Sequence, residues 1–110
     1  MKVLDHEPQW WFLLEDEGFL YLDVNCNHSF IGYDFLLRLD ASEAARFQIE
    51  GRGYISWLAS DIQNSAPILT NSSSAYKGRD LTSEYSTRVT AAVQQWRQNF
   101  GGPDPRSTPP

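Results

Sequence analysis

Residues 10–40 read WWFLLEDEGFLYLDVNCNHSFIGYDFLLRLD, and this stretch decides the fold. Its hydrophobic residues first form a continuous run and then alternate with a period of two, which is typical of β-strands. Polar turns at residues 15–18 and 25–29 interrupt the pattern, as expected between neighbouring antiparallel strands. We therefore predict a three-stranded antiparallel meander over about residues 9–39.

From Asp40 onwards the hydrophobic periodicity becomes helical. Asp40 is a good helix N-cap and Glu43 follows three residues later, which is the pattern of a capping box. Apolar residues then recur at helical spacing in two stretches, and Gly51 in the first of them indicates a kink or a close approach to the sheet. The prediction is an α+β fold in which helices at about 41–64 and 81–100 pack on one face of the sheet.

The composition is that of a globular protein. Of the 110 residues, 41% are hydrophobic and 14% aromatic, enough for one modest core. We expect one domain over residues 1–100 and a disordered Gly/Pro-rich tail over residues 101–110. A single cysteine, the lack of a secretory signal and the lack of an apolar run of about 20 residues predict a cytoplasmic protein that does not enter a membrane.

The net charge of −5 is unevenly distributed along the chain. Residues 1–43 carry nine acidic and two basic side chains, a net charge of −7, whereas residues 44–110 have a net charge of +2. This excess of acid repels phosphates, so nucleic-acid binding is not expected, and it attracts a basic protein partner. The alternative is that the acidic side chains only solvate the outer face of the sheet.

The segment at residues 65–80 is longer than most helix connections, and such loops in compact domains are often functional. Asn71 and three following serines offer hydrogen-bonding groups, Tyr76 offers an amphipathic ring, and Lys77 and Arg79 offer positive charge. The sequence therefore predicts that Asn71, Tyr76, Lys77 and Arg79 bind a small anionic ligand or form part of an enzymatic site. A flexible polar linker with both cations in solvent is the alternative.

The tandem tryptophans and the acidic turn predict a contact surface for a protein. Adjacent residues of a strand point to opposite faces, so one tryptophan should lie outside the main core, and Trp57 offers a further ring for an aromatic platform. The predicted partner contacts are Trp10, Trp11, Glu15, Asp16 and Glu17. The open meander also leaves an edge strand through which a homodimer could form.

Cys26 and His28 lie in one turn and would share a side of a continuing strand. They are a candidate nucleophile–base pair or the start of a metal site. Neither an orienting group nor further ligands are evident in the sequence, so a buried thiol beside a surface histidine is the simpler interpretation. No catalytic residue, metal or cofactor is predicted.

In size, acidic charge and predicted fold class, the chain resembles the immunity proteins that bacteria encode beside polymorphic toxins. The resemblance covers no specific motif and assigns no residue a role. It implies a non-enzymatic protein that neutralises a basic toxin. The first hypothesis is therefore a non-enzymatic protein-binding domain, and the alternative is an anionic-ligand-binding or enzymatic domain that uses residues 65–80.

Overall fold

The computed structural model describes residues 1–28, 31–67 and 72–99. The strands form a sheet in the order β1-β2-β3-β4, in which every neighbouring pair is antiparallel, so the predicted α+β class is confirmed. The predicted tail at residues 101–110 lies outside the described residues. The elements are β1 (Lys2–Glu7), β2 (Trp11–Asp16), β3 (Phe19–His28), β4 (Ile31–Arg38), α1 (Ala41–Glu50), α2 (Arg52–Ser65) and α3 (Thr82–Asn99).

The sheet has one strand more than the three that we predict from the sequence. β1 pairs with β2 from Lys2 opposite Glu15 to Glu7 opposite Trp11. The register of this pair shifts between Val3 and Asp5, as it does at a β-bulge. A bulge adds a residue to one strand and so breaks the period-two pattern on which the prediction relies.

The helices cover both faces of the sheet, which corrects the prediction that they pack on one face. One core holds Leu13, Leu22 and Leu37 from opposite positions of β2, β3 and β4, together with residues of α2. A second core on the other face includes Leu14 and Leu36 and packs against α3. Because the second face is also apolar, each face needs its own helical cover.

The predicted long helix is in fact two helices that meet at Gly51. This residue has a φ of 70°, a conformation that favours glycine, and its N–H donates to the carbonyl oxygen of Phe47 at 2.8 Å. The predicted capping box is present, because Asp40 and Glu43 each accept a hydrogen bond from the other's backbone N–H at 2.8 Å. Whereas α2 supplies five residues to the core, α1 has no buried residue.

The segment before α3 closes the outer edge of β4. Leu81 donates its N–H to the carbonyl oxygen of Leu36 at 2.8 Å, and the N–H of Leu36 donates to Thr82 Oγ1 at 2.9 Å. The Arg79 guanidinium donates to the carbonyl oxygen of Arg38 at 2.9 Å. These bonds occupy backbone groups that a second strand would need on this edge. Homodimerisation itself stays a prediction.

Candidate functional site

The two adjacent tryptophans both pack against the first core. Trp11 is 1% exposed, and the Arg52 guanidinium lies over its ring at 5.2 Å from the ring centroid. Trp10 is half-buried and belongs to the turn before β2, so the alternation of a strand does not apply to it. Trp11 therefore exposes almost no surface to solvent or to a partner, whereas Trp10 exposes part of its side chain.

The carboxylates of the acidic turn are largely engaged within the protein. Asp16 lies 3.1 Å from the amino group of Met1 and 2.9 Å from the Arg88 guanidinium, and so connects the N-terminus to α3. Glu15 lies 3.5 Å from the ammonium group of Lys2, while Glu17 is exposed at the tip of the turn. A role of these three residues in partner binding stays a prediction.

Serines of the long connection between α2 and α3 form hydrogen bonds with the end of α2. The Ser65 and Ser74 hydroxyls are 2.6 Å apart, and the Ser72 hydroxyl donates to the carbonyl oxygen of Ser65 at 2.9 Å. Ser74 Oγ in turn accepts the backbone N–H of Tyr76 at 3.1 Å. Hydroxyl groups that were expected to meet a ligand thus form a local turn network. Asn71, the first residue of the predicted ligand site, lies outside the described residues.

Tyr76 lies in the first core instead of presenting its ring to solvent. It is 7% exposed, and its hydroxyl donates to the carboxylate of Asp61 on α2. Burial and the bond to Asp61 raise the pKa of Tyr76 far above its ordinary value. Lys77 follows in an exposed turn. The structure therefore separates these two predicted ligand contacts between the core and the surface.

Arg79 binds an anion, but the anion belongs to the protein itself. Its guanidinium forms a two-point contact with Glu43, at 2.7 Å to Oε1 and 3.0 Å to Oε2. This contact with Glu43 raises the pKa of Arg79. Since Glu43 is also the third residue of α1 and part of its capping box, Arg79 connects the end of β4 to the start of α1. Whether residues 71–79 bind a ligand as well stays a prediction.

Replacement of Arg79 by alanine should lower the free energy of unfolding by about 1–2 kcal/mol, because Glu43 loses its charged partner and the α1 cap is weakened. Chemical denaturation monitored by circular dichroism would measure the change. As a control, Arg97→Ala makes the same chemical change at an exposed position of α3 and should stay within about 0.5 kcal/mol of the unmodified protein. Equal stability of the two variants would contradict the structural role of Arg79.

Cys26 is placed as a core residue and not as a nucleophile. It is fully buried in the first core, opposite Tyr33 on β4. Burial raises the pKa of the Cys26 thiol to about 11, which keeps the thiol neutral and unreactive near pH 7. The side chain of His28 lies outside what the structure describes. Among the described residues, no group of three or more His, Cys, Asp or Glu side chains is placed to hold a metal ion.

An exposed tryptophan and an arginine lie against the buried ring of Tyr54 where α1 meets α2. Trp57 is 52% exposed and stacks on Tyr54, with ring centroids 5.8 Å apart and planes inclined by 22°. The Arg46 guanidinium lies over both rings, 4.7 Å from the centroid of Tyr54 and 5.5 Å from that of Trp57. Glu50 accepts a hydrogen bond from Arg46 at 2.9 Å and fixes this position. We call Arg46, Glu50 and Trp57, which lie around the buried ring of Tyr54, the Trp57 surface.

The neighbourhood of the Trp57 surface is apolar and acidic. On α1, Ile49 is 85% exposed, an unusual position for a large aliphatic residue. Burial and the carboxylate of Glu43 raise the pKa of Tyr54, and Asp40 and Glu50 add to the effect. Several carboxylates therefore lie near the Tyr54 hydroxyl.

Sequence reasoning selected Trp57 but missed Arg46. The spacing of three residues between Tyr54 and Trp57, and of four between Arg46 and Glu50, is the available signal, because such pairs are neighbours on a helix. That the two pairs meet depends on the break at Gly51, which spacing alone does not predict.

No family model matches the chain, and neither the curated proteins nor the solved structures gave a match. In the part of the chain that the structure describes, none of the helices is long and apolar enough to cross a membrane. A cytoplasmic location stays a prediction. Because the comparisons gave no match, the proposed function is based on the structure of the described residues.

Proposed function

We propose that this chain is a non-enzymatic protein-binding domain that engages a basic protein partner through the Trp57 surface. The most specific form of the proposal is an immunity-type protein that neutralises a toxin. The observation that carries it is the half-exposed indole of Trp57, held between Tyr54 and Arg46 on a helix pair whose first member has no buried residue.

The composition and order of this surface suit protein recognition. Trp57 and Arg46 are exposed, and Trp and Arg are among the residue types most enriched among those that dominate binding energy at protein interfaces. Stacking between Tyr54 and Trp57 and the Arg46–Glu50 hydrogen bond restrict these side chains before a partner arrives. Binding then loses less side-chain entropy, which is the usual benefit of a preorganised interface.

Charge supports a basic partner. The chain has a net charge of −5, and its first 43 residues carry the excess of acid. Asp40 and Glu43 bring part of that excess close to Tyr54, beside the Trp57 surface, and Glu50 adds a third carboxylate, whereas Arg46 and Arg79 supply only two positive charges. Complementary charge mainly raises the association rate, and that gain should shrink as salt is added.

A binding comparison between two aromatic variants tests the proposal. The partner is first isolated by affinity capture at low ionic strength from the source organism, and its affinity is then measured in purified form. We expect Trp57→Ala to weaken binding by about 30-fold or more, as for a residue that dominates an interface. The matched control is Phe19→Ala, because Phe19 is 50% exposed and also lies under a guanidinium, that of Arg38 at 4.7 Å.

Equal losses in the two variants would contradict the assignment of the Trp57 surface, and an acidic partner would contradict the charge argument. A thermal-shift screen tests the anionic-ligand alternative in parallel, because a ligand that binds the native state raises the melting temperature. We expect phosphate, nucleotides and small carboxylates to leave it unchanged. A dose-dependent rise that Lys77→Ala removes would favour the alternative.

A further inference from the structure

Three carboxyl groups from different elements converge where the start of α3 meets β4. Asp23 on β3 lies opposite Leu36 of β4, and Asp34 lies two residues before Leu36 on the same face of the sheet. Asp80 immediately precedes α3, where its carboxylate accepts hydrogen bonds from the backbone N–H and the hydroxyl of Thr82. The same oxygen is 3.4 Å from the N–H of Leu36.

The three carboxyl groups differ in their burial and in their hydrogen bonding. Asp80 accepts two hydrogen bonds from Thr82, and Asp34 is exposed to water. Asp23 is partly buried, and none of the hydrogen bonds or ion pairs found among the described residues engages its carboxyl group. Burial, with the carboxylates of Asp34 and Asp80, raises the pKa of Asp23 to about 7.

The other charged and titratable groups on this side of the sheet are directed elsewhere. Arg38, on the same face of β4, lies over the ring of Phe19. Asp16 of β2 is neutralised by Arg88 of α3 and by the amino group of Met1. The His6 imidazole of β1 stacks on Phe12, which lies opposite Asp23 on β2.

From α3, Glu84 is exposed and Tyr85 packs on Tyr21 of β3 with ring centroids 5.3 Å apart. Glu84 adds negative charge to this end of the helix. None of these groups supplies Asp23 with a compensating cation.

We propose that Asp23 is a proton-controlled latch for α3, which holds the start of the helix on β4 while its carboxyl group is protonated and loosens it when that group ionises. The attachment consists of the two hydrogen bonds between Leu36 and residues Leu81 and Thr82. A charged Asp23 would repel the carboxylates of Asp34 and Asp80 on both sides of this attachment. Release of the start of α3 moves Asp80 away and admits water to Asp23.

The direction of the pH effect follows from linkage. The docked helix binds the Asp23 proton more tightly than the released helix does, since a free Asp carboxyl has a pKa of about 4. Docking is therefore fully favoured below about pH 4 and weakens as the pH rises towards about 7, by up to tenfold for each pH unit.

Two NMR measurements on the full chain test the latch. The Asp23 carboxyl resonance should titrate with a midpoint near neutral pH, and a midpoint near about 4 would overturn the proposal. Hydrogen exchange at low denaturant should show the protection factor of the Leu81 amide fall at least tenfold between about pH 5 and about pH 8. The variant Asp23→Asn has no ionisable group at position 23, so the protection factor of its Leu81 amide should not change with pH in this way. A fall of the same size in the variant would also overturn the proposal.

The amide of Leu58 on α2 is the internal control, because it lies under the opposite face of the sheet. We expect the Leu81 amide to be less protected than the Leu58 amide and to depend less on denaturant, as for local opening. Identical behaviour of the two amides would show that α3 opens only with the whole domain and would overturn the latch. Asp34→Asn gives a second variant, which should shift the Asp23 midpoint downward, whereas an unchanged midpoint would contradict the coupling.

Discussion

Replacement of Trp11 by alanine should lower the free energy of unfolding by about 3–5 kcal/mol, one of the two largest effects that we expect in this protein. Trp11 is 1% exposed and fills the first core between β2 and α2. Its removal leaves a cavity that rigid neighbours on the sheet cannot fill, and it removes the ring under the Arg52 guanidinium. Equilibrium denaturation in urea measures the change directly.

Trp57→Ala is the matched comparison for this prediction, since it removes the same side chain from a position that is 52% exposed. We expect it to change the stability by no more than about 1 kcal/mol. Together the two variants separate a tryptophan that stabilises the fold from one that is available to a partner. A loss of less than about 1 kcal/mol for Trp11→Ala would place Trp11 outside the core and contradict the described fold.

The second large effect concerns the connection between α2 and α3. Tyr76→Ala should cost about 3–4 kcal/mol, because Tyr76 is the buried side chain through which the connection packs on the first core. Tyr76→Phe keeps the ring and removes only the hydroxyl that donates to Asp61, so a loss of about 1 kcal/mol is expected. Thermal or urea unfolding of the two variants gives both values.

The result for Tyr76 also bears on the anionic-ligand hypothesis. If Tyr76→Ala kept the stability of the unmodified protein and abolished binding of an anionic ligand, the residue would act as a ligand contact and not as an anchor. We expect instead that Tyr76→Ala strongly lowers the free energy of unfolding. The stabilities of Tyr76→Ala and Tyr76→Phe thus test the anchoring role of Tyr76 without knowledge of the ligand.

Local rules predicted the features that depend on residues close in sequence. The capping box of Asp40 and Glu43 follows from a spacing of three residues, and it is present. The period-two alternation that predicted strands is present in β3, where Leu22 and Val24 share one face and meet Leu37 and Phe35 of β4. These features need no information beyond the neighbouring turn or strand.

The features that the prediction missed depend on more distant parts of the chain. Leu14, Tyr21 and Leu36 form the second apolar face, but their significance appears only when the strands are aligned in a sheet. Whether a helix covers that face depends on where the chain returns after the long connection. The position of α3 could not be read from its own periodicity, which is equally compatible with either face.

The candidate site shows the same limit. Arg79 has the chemistry of an anion contact, and the sequence does not reveal that Glu43, 36 residues earlier, is the anion that it meets. Conversely, the proposed role of Trp57 depends on its contact with the Arg46 guanidinium. This contact forms because the helix breaks at Gly51 and brings α1 next to α2. Long-range pairing decides which polar residues are already satisfied and which aromatic residues remain exposed.

Site-specific photo-crosslinking tests the central claim, that the Trp57 surface binds a basic protein, most directly. A photoreactive phenylalanine analogue is placed at position 57 in one sample and at position 19 in another, since the native residues there are similarly exposed. In an extract of the source organism at low salt, position 57 should form an adduct with one basic protein, identified by mass spectrometry, and position 19 should not. Equal labelling at both positions, or an acidic protein at position 57, would contradict the claim.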